Sequence, residues 1–520
     1  MTDKNFYITT PIYYVNGDPH LGHVYTTTAA DVVARFKRLA GYNVHFLTGT
    51  DEHGQKVAQS AEKAGIDPQE FCDQVAQKFR DVLSPFQISN DDFIRTTEDR
   101  HKKTCQALWQ KLDEAGAVYL DKYAGWYAVR DEAYYSEDEL EDGPDAYTKI
   151  ATATGAECKW VEEESYFFRL SDYTEKLLKF YDDNPEFIGP KSSANEIKAF
   201  VKQGLNDLSI SRTTFDWGVP VPGNDKHVMY VWIDALTNYI SSLGWENGET
   251  HLMDQFWPAD VHVVGKEITR FHAIYWPAFL MAVDLPTPKK VYANGWWVVE
   301  GQKMSKSLGN VITPETLLEN YGSDGSRYAL MAEMPFGNDG NFVHESAVAK
   351  INGDLANGLG NLAQRTLSMI AKNCEGAVPT RGEFTQDDND LLQKAYALPE
   401  VTETHIDEMQ IHKYLDSVWH VVDEANAYID AQAPWKLKKE NPERMATVLY
   451  VLAEVIRCVS IMAQPILPTG ANKILDQLAL DKTVRTFEYI DANHALQSGM
   501  TLPAHQGVFP RLELNKEEAA

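Results

Sequence analysis

The chain is expected to fold as an α/β body on a parallel sheet, carrying a small inserted domain and followed by an all-α bundle. Three patterns predict this. Apolar strand runs and amphipathic helix runs alternate from Phe6 to about residue 115, short aromatic strands and an acidic loop interrupt them from 116 to 225, and helical periodicity takes over from about 345. A length of 520 residues suits such an assembly.

The first element is a buried strand, Phe6 to Thr10, followed by the turn Asn16-Gly17-Asp18-Pro19. A helix is predicted from about Leu21 to Ala40, stopped by Gly41. A second strand runs from Asn43 to Leu47 and ends at Gly49; the next helix starts at Asp67-Pro68, where a proline's missing N–H costs nothing. Strand, helix, strand, helix is a parallel α/β opening, and ligands sit at the carboxyl ends of such strands. A helix around Thr104 to Ala115 closes this half. The inserted part holds Gly125–Val129 and Ser165–Phe168 as aromatic strands and Glu137 to Asp145 as an acidic loop. The α/β pattern resumes at Val228 to Ile233, Val261 to Val264, a helix from Ile268 to Ala282 and a strand at Lys290 to Ala293. Amphipathic stretches near 345–373, 386–400, 410–431 and 442–463 read as a bundle, and the last residues, Asn515 to Ala520, as a frayed end.

Composition bounds the function. The hydrophobic fraction of 44% and charged fraction of 24% are those of a soluble globular protein. No apolar run reaches the roughly 18 residues a membrane span needs, so no membrane partner is expected. No basic-then-apolar N-terminal pattern suggests a signal peptide. The five cysteines are scattered, which suits neither a disulfide framework nor a zinc site and fits a cytoplasmic location. A net charge of −28 argues against a generic nucleic-acid binder, but leaves room for a local basic patch.

Two segments carry chemistry. His20-Leu21-Gly22-His23 stands where a helix begins, and a helix start offers free N–H groups and a positive dipole end to an anion. Gly22 lets a nucleotide approach the backbone. Lys303-Met304-Ser305-Lys306-Ser307 supplies two cations in a Ser- and Gly-rich loop, and phosphoryl chemistry needs cations on its leaving group. Either segment alone is common on protein surfaces; together, in this order, they point to a bound triphosphate. His20, His23, Lys303 and Lys306 are the candidate catalytic residues.

These two motifs match the signatures of the class I aminoacyl-tRNA synthetases. Further segments resemble the methionyl-tRNA synthetase family over nearly the whole chain: Tyr13–Gly17, Thr50–Gly54, Tyr230–Ala235, Phe271–Pro277, and Ser211-Arg212 with Trp217–Pro220. The resemblance implies a Rossmann-type catalytic domain in two halves, 1–115 and 226–344. Between them lies a connective domain at 116–225, and a helical anticodon-binding domain at 345–480 and a tail at 481–520 follow. It implies ATP with Mg²⁺, L-methionine and tRNA(Met), including the initiator, as partners of a monomeric ligase. Gly265, Lys266, Glu267 and Asn294 would join His20, Gly22, His23 and the two lysines around ATP. Asp51 would hold the methionine ammonium. Ile12, Tyr14, Trp232, Ala235, Tyr239, Ile268, His272 and Trp276 would enclose the side chain, Tyr14 and His272 near the sulfur. A polarizable thioether favours such an aromatic cage with a hydroxyl or imidazole donor. His272 and Trp276, four apart, would share a helical face.

The insertion, about 110 residues, is too short for the editing domain of the leucyl, isoleucyl and valyl enzymes, and no Cys/His set suits the cysteinyl enzyme. It holds only Cys158, where many relatives carry CxxC zinc knuckles, so no zinc is expected. In the bundle, Asn357, Asn361 and Arg365 at i, i+4, i+8 and Trp435 in Ala433-Pro434-Trp435 lie where the sequence can place them on RNA. The resemblance gives Asn361, Arg365 and Trp435 the anticodon. The alternatives are another class I synthetase of the Leu/Ile/Val/Cys group, a small-molecule nucleotidylyltransferase, or an inactive RNA-binding paralogue.

Overall fold

The computed structural model describes residues 4–131, 133–145, 147–248, 251–304 and 309–513. The chain opens with β1 (Asn5–Tyr14), α1 (Leu21–Leu39), β2 (Asn43–Asp51), α2 (Gln55–Ala64), α3 (Pro68–Leu83), β3 (Asp92–Arg95) and α4 (Asp99–Glu114). Local chemistry sets these bounds. The backbone of α1 leaves the helix at Gly41, whose φ of 84° a side chain would resist. The Asp67 carboxylate caps α3 by accepting from the Gln69 and Glu70 N–H groups, with Pro68 behind it.

The inserted sheet comprises β4 (Val118–Ala128), β5 (Ala133–Tyr135), β6 (Leu140–Asp142), β7 (Thr148–Ala151) and β8 (Glu157–Phe168), in the order β5-β4-β8-β7-β6. Then α5 (Thr174–Asp183), β9 (Ile188–Gly189) and α6 (Lys191–Lys202) follow, then β10 (Leu208–Ser209), β11 (Ser211–Arg212), β12 (Val228–Met229), α7 (Val231–Ser241) and α8 (Met253–Phe256). The second half supplies β13 (Val261–Gly265), a π-helical turn at Phe271–Tyr275, α9 (Trp276–Ala282) and β14 (Val291–Asn294). The main sheet runs β3-β2-β1-β13-β14-β9, parallel throughout.

The span 116–225 is therefore not one unit. Its stretch α5–β9–α6 leaves the inserted sheet, and β9 pairs with β14 at the edge of the main sheet. Phe187, Ile188, Ile197 and Val201 are buried in the core under that sheet. The run was too short and too apolar on one side to separate from its flanks by periodicity.

A small sheet of β15 (Trp297–Val299), β16 (Gln302–Lys303) and β17 (Gly340–Phe342) leads through α10 (Pro314–Ala332) to the bundle. The bundle contains α11 (His344–Ile351), a π-helical stretch Asn352–Gly360, α12 (Asn361–Asn373), α13 (Gln386–Asp407), α14 (Ile411–Gln432), α15 (Pro434–Glu440), α16 (Pro442–Ala463) and α17 (Pro468–Gln477). Helix α16 is long and apolar enough to cross a membrane by length and composition, although Glu454 and Arg457 interrupt its apolar run. Its apolarity has another cause in this fold: it is almost wholly buried as the central helix of the bundle.

One apolar core runs from β1 and α1 continuously into the bundle. At this junction the Arg327 guanidinium is fully buried. It pairs with Asp31 of α1 at 2.7 Å and donates to the carbonyls of Phe86, Pro465 and Ile466 at 3.0, 2.7 and 3.1 Å. Burial pushes the Asp31 carboxyl up, but Arg327 and Arg35 outweigh it and hold the group below its ordinary range. A buried charge whose partner is removed costs about 3–5 kcal/mol. Arg327→Met is expected to lower the urea midpoint by a corresponding amount; an unchanged midpoint would mean the pair does not hold the two parts together.

Candidate active site

The site is built on the carboxyl ends of β1, β2, β13 and β14 and on the first turn of α1. At that turn two histidines cap the helix reciprocally. His20 Nδ1 accepts from the Gly22 N–H at 3.1 Å, and His23 Nδ1 accepts from the His20 N–H at 3.1 Å. An accepting Nδ1 leaves the ring proton on Nε2, so each ring keeps one N–H donor beyond the helix. The rings lie 3.9 Å apart, centre to centre. Burial, with His20 adding to it, holds His23 well below the ordinary imidazole range. A Cβ on Gly22 would come within 3.0 Å of the His20 ring, so the glycine permits the cap as well as backbone access. The capping residues a helix start ordinarily uses are Ser, Thr, Asp and Asn, which would bring a hydroxyl or a negative charge here.

Both rings line a cleft of about 1180 Å³. Gly22, Gly265, Glu267, Asn294 and Lys303 line it with them. Asn294 is fixed at the end of β14, its Oδ1 accepting from Thr26 of α1 at 3.2 Å. A Cβ on Gly265 would meet the Glu267 carboxylate at 2.4 Å, so a side chain there would have to displace that group. Glu267 in turn accepts from the Trp296 indole N–H at 2.8 Å. Lys303 sits at the exposed end of β16. Lys306 lies outside the described residues.

The same cleft is lined by Ile12, Tyr14, Asp51, Trp232, Ala235, Tyr239, Ile268 and His272. Asp51 is buried at the last position of β2, opposite Tyr14 in the β1–β2 register. Trp232 stacks on Phe271 with ring centres 3.7 Å apart. Tyr239 and His272 form a fixed pair. His272 Nδ1 is 3.0 Å from the Ile268 carbonyl, which only an N–H can approach, so its Nε2 accepts the Tyr239 hydroxyl at 2.6 Å. Both nitrogens of His272 are thereby engaged. It offers no N–H to a thioether sulfur, and its part in the cage is the face and edge of its ring. That corrects the expectation of an imidazole donor.

Two other residues stand elsewhere than expected. Trp276 is fully buried and does not line the cleft; its ring packs against Tyr239 and Trp257, at 6.1 and 6.0 Å. His272 and Trp276 both neighbour the Tyr239 ring, but only His272 lines the cleft. Lys266 turns away to Asp339, at 2.5 Å, and lies 3.8 Å from the centre of the Trp296 ring. In the bundle, Asn357 belongs to the π-helical stretch, and Asn361 and Arg365 belong to α12. Arg365 and Trp435 are brought together: the guanidinium is 5.6 Å from the centre of the indole ring and pairs with Asp430 at 2.7 Å. Trp435 is 45% exposed and opens α15, after Ala433 breaks the preceding helix at φ 44°.

Sequence reasoning missed several neighbours. Lys56 on α2 and Arg130 and Asp131 from the turn after β4 also line the cleft. A buried cluster of His53, His101, Cys105 and Asp234 lies behind Asp51, joined by short hydrogen bonds. Three of its members, His101, Cys105 and Asp234, stand close enough to share a metal ion. Burial pushes the Cys105 thiol well up, and Asp234 already accepts from both imidazoles, so the cluster is complete as a hydrogen-bond network.

Comparison with known proteins places this geometry. The family described as tRNA synthetases class I (M) matches residues 6–367, and the anticodon binding domain of methionyl tRNA ligase matches residues 378–519. The chain is 54% identical to the methionine–tRNA ligase of Brucella suis over 511 residues, 98% of each chain. It is 51% identical to that of Rickettsia felis over 514 residues, 98% of this chain and 99% of the other. A solved structure of Mycobacterium tuberculosis methionyl-tRNA synthetase in complex with methionyl-adenylate superposes with a TM-score of 0.94 at 47% identity, covering 98% of this chain and 100% of that one. The chain belongs to the methionyl family of class I tRNA synthetases.

His272 gives the site a measurable acid response. Burial lowers its pKa from 6.5 to about 4, the Ile268 carbonyl partly opposing the shift. Below pH 6.5 the unfolded chain takes up a proton that the folded chain refuses until about pH 4. The stability tied to this residue is therefore full above pH 6.5 and is lost as the pH falls. His272→Gln is expected to flatten the acid limb by up to one proton, about 1.4 kcal/mol per pH unit. Urea unfolding of both proteins at pH 5 and 7 measures it; parallel losses would mean His272 titrates normally.

Proposed function

We infer that this chain joins L-methionine to tRNA(Met), initiator tRNA included, as a methionine–tRNA ligase. One observation carries the reading: a single cleft is lined by the His20–His23 turn and Lys303 together with Asp51 and an aromatic cage. The methionine carboxylate attacks the α-phosphorus of ATP, the bond to the β-phosphate oxygen breaks, and methionyl-adenylate and pyrophosphate result. A ribose hydroxyl at the tRNA 3′ end, the 2′-hydroxyl in class I chemistry, then attacks the acyl carbon and releases AMP.

In this reading Asp51 takes the ammonium group and Ile12, Tyr14, Trp232, Ala235, Tyr239, Ile268 and His272 enclose the side chain. His20 and His23 donate their Nε2–H groups to phosphate oxygens. Lys303 and Lys306 neutralise the departing pyrophosphate, which strengthens as charge moves onto it. Mg²⁺ enters as part of the nucleotide, held by phosphate oxygens and water. Lys266 acts at the rim through Asp339 rather than on the nucleotide. The chain works as a cytoplasmic monomer and needs no zinc and no membrane.

For the anticodon, Trp435 and Arg365 present a joined aromatic and guanidinium surface, with Asn361 on the same helix as Arg365. Lys436, Lys438 and Lys439 are exposed on the same short helix as Trp435, a basic patch on an acidic body. Unstacked bases bind such surfaces by stacking and edge hydrogen bonds.

Pyrophosphate exchange tests the first step. Protein dialysed against a zinc chelator and assayed with Mg²⁺ alone should exchange with methionine and not with leucine. Exchange with leucine, or none with methionine until zinc is restored, would overturn the assignment or its zinc-free form respectively. Trp435→Ala tests the RNA part. Base–aromatic stacking is worth about 1–3 kcal/mol, so tRNA aminoacylation should fall roughly ten- to a hundredfold while exchange persists. Loss of both together would make Trp435 a packing residue.

A further inference from the structure

The cleft places the group that would hold the methionine ammonium and the cage that would hold its side chain on different elements. Asp51 ends β2, whereas Trp232, Ala235 and Tyr239 lie on α7. Something has to fix their separation, and a buried polar bridge between those two segments passes through Asp234. Its Oδ2 accepts from His53 Nδ1 at 2.7 Å and its Oδ1 from His101 Nε2 at 2.8 Å. His53 is two residues beyond Asp51, and Asp234 sits between Trp232 and Ala235 on α7. His101 comes from α4, and its Nδ1 lies 2.9 Å from Ser241 Oγ, about two turns further along α7. Asp234 and His101 are fully buried, and His53 is 3% exposed.

The residue between Asp51 and His53 is pinned from the other side. Glu52 is fully buried and accepts from Arg95 Nε at 2.6 Å and Nη2 at 2.9 Å; its N–H donates to Thr96 Oγ1 at 2.9 Å and its carbonyl accepts from the Trp217 indole at 2.6 Å. The end of β2 is thus held on both flanks. The Glu52 contacts tie it to β3 and its surroundings. The contact that ties it to the cage helix is His53–Asp234.

We propose that Asp234, bridging His53 and His101, is a positioning residue that sets the distance between Asp51 and the aromatic cage on α7, and so governs methionine binding. The inference rests on the methionine-binding reading of Asp51 and the cage. Two buried N–H donors on one carboxylate give a bridge of defined length and direction, because each imidazole plane is fixed by its second contact or its packing. Burial opposes the charge on Asp234, and the two imidazoles outweigh it and keep the group ionised. The nucleotide end of the cleft, on α1 and β14, has no share in this bridge. A change at Asp234 should therefore separate the two small substrates.

Asp234→Asn keeps the shape but puts an amide N–H against one of the two imidazole donors. In pyrophosphate exchange the KM for methionine should rise at least tenfold, with the KM for ATP within twofold of the parent. A folding defect would not make that distinction. His101→Ala should shift the methionine KM in the same direction. His101→Gln, which keeps an N–H for Asp234 Oδ1, should recover most of the parent value. Circular dichroism and the thermal midpoint establish that each variant is folded, and if Asp234→Asn is not, the two His101 variants decide. A folded variant with both KM values unchanged, or with both raised together, overturns the proposal. So does equal behaviour of His101→Ala and His101→Gln. A parent protein without methionine-dependent exchange would instead defeat the functional reading itself.

Discussion

A helix start must satisfy its first N–H groups, and in the proposed reading the side chains that do so also face a triphosphate. A carboxylate cap would satisfy the backbone and repel the ligand. A hydroxyl cap would satisfy it and leave little to offer. An imidazole does both, because one nitrogen can accept from the backbone while the other donates outward. That requirement selects His20 and His23, makes each hold the other's cap in place, and demands a glycine between them. It also explains why burial must keep His23 neutral: a protonated ring could no longer accept the His20 N–H.

The second constraint is charge. The protein carries −28 overall and has to receive nucleotides and RNA. It does so by keeping cations local. Many carboxylates are committed to intramolecular partners, as Asp339 is to Lys266 and Asp430 to Arg365. The exposed lysines of α15 beside Trp435 form a short basic stretch on an otherwise acidic body. Attraction over a Debye length of about 8 Å in physiological salt suffices for such a patch to act on a nearby phosphate without the net charge deciding the outcome.

Much of this was legible in the sequence because strands and helices of the main body announce themselves by period and punctuation. The HLGH turn could be placed at a helix start from Asn16–Pro19 alone, and Asp51 at a strand end from Gly49 and the following turn. What could not be read were departures from the α-helical period. The π-helical segments Phe271–Tyr275 and Asn352–Gly360 carry no sequence mark of their wider turn. Trp276, four residues after His272, is buried against Tyr239 and Trp257 rather than lining the cleft, which tertiary packing alone decides. The two-residue strand β9 was unreadable for a different reason: its pairing with β14 is a tertiary fact that no local pattern encodes. Buried networks such as His53–Asp234–His101 join residues far apart in the chain, and only the fold reveals them.

The ties of Arg327 bear on how far the parts of this protein can be treated as modules. A domain boundary drawn near residue 345 follows the change of pattern, yet the guanidinium just before it reaches α1, the turn at Phe86 and the end of α16 at once. The apolar core likewise crosses that line without a break. Catalytic body and RNA-reading bundle are thus grafted rather than strung together. An evolutionary or engineered exchange of the bundle would have to carry the Pro465–Ile466 carbonyls with it, or supply a new cap for a cation that has no route to water.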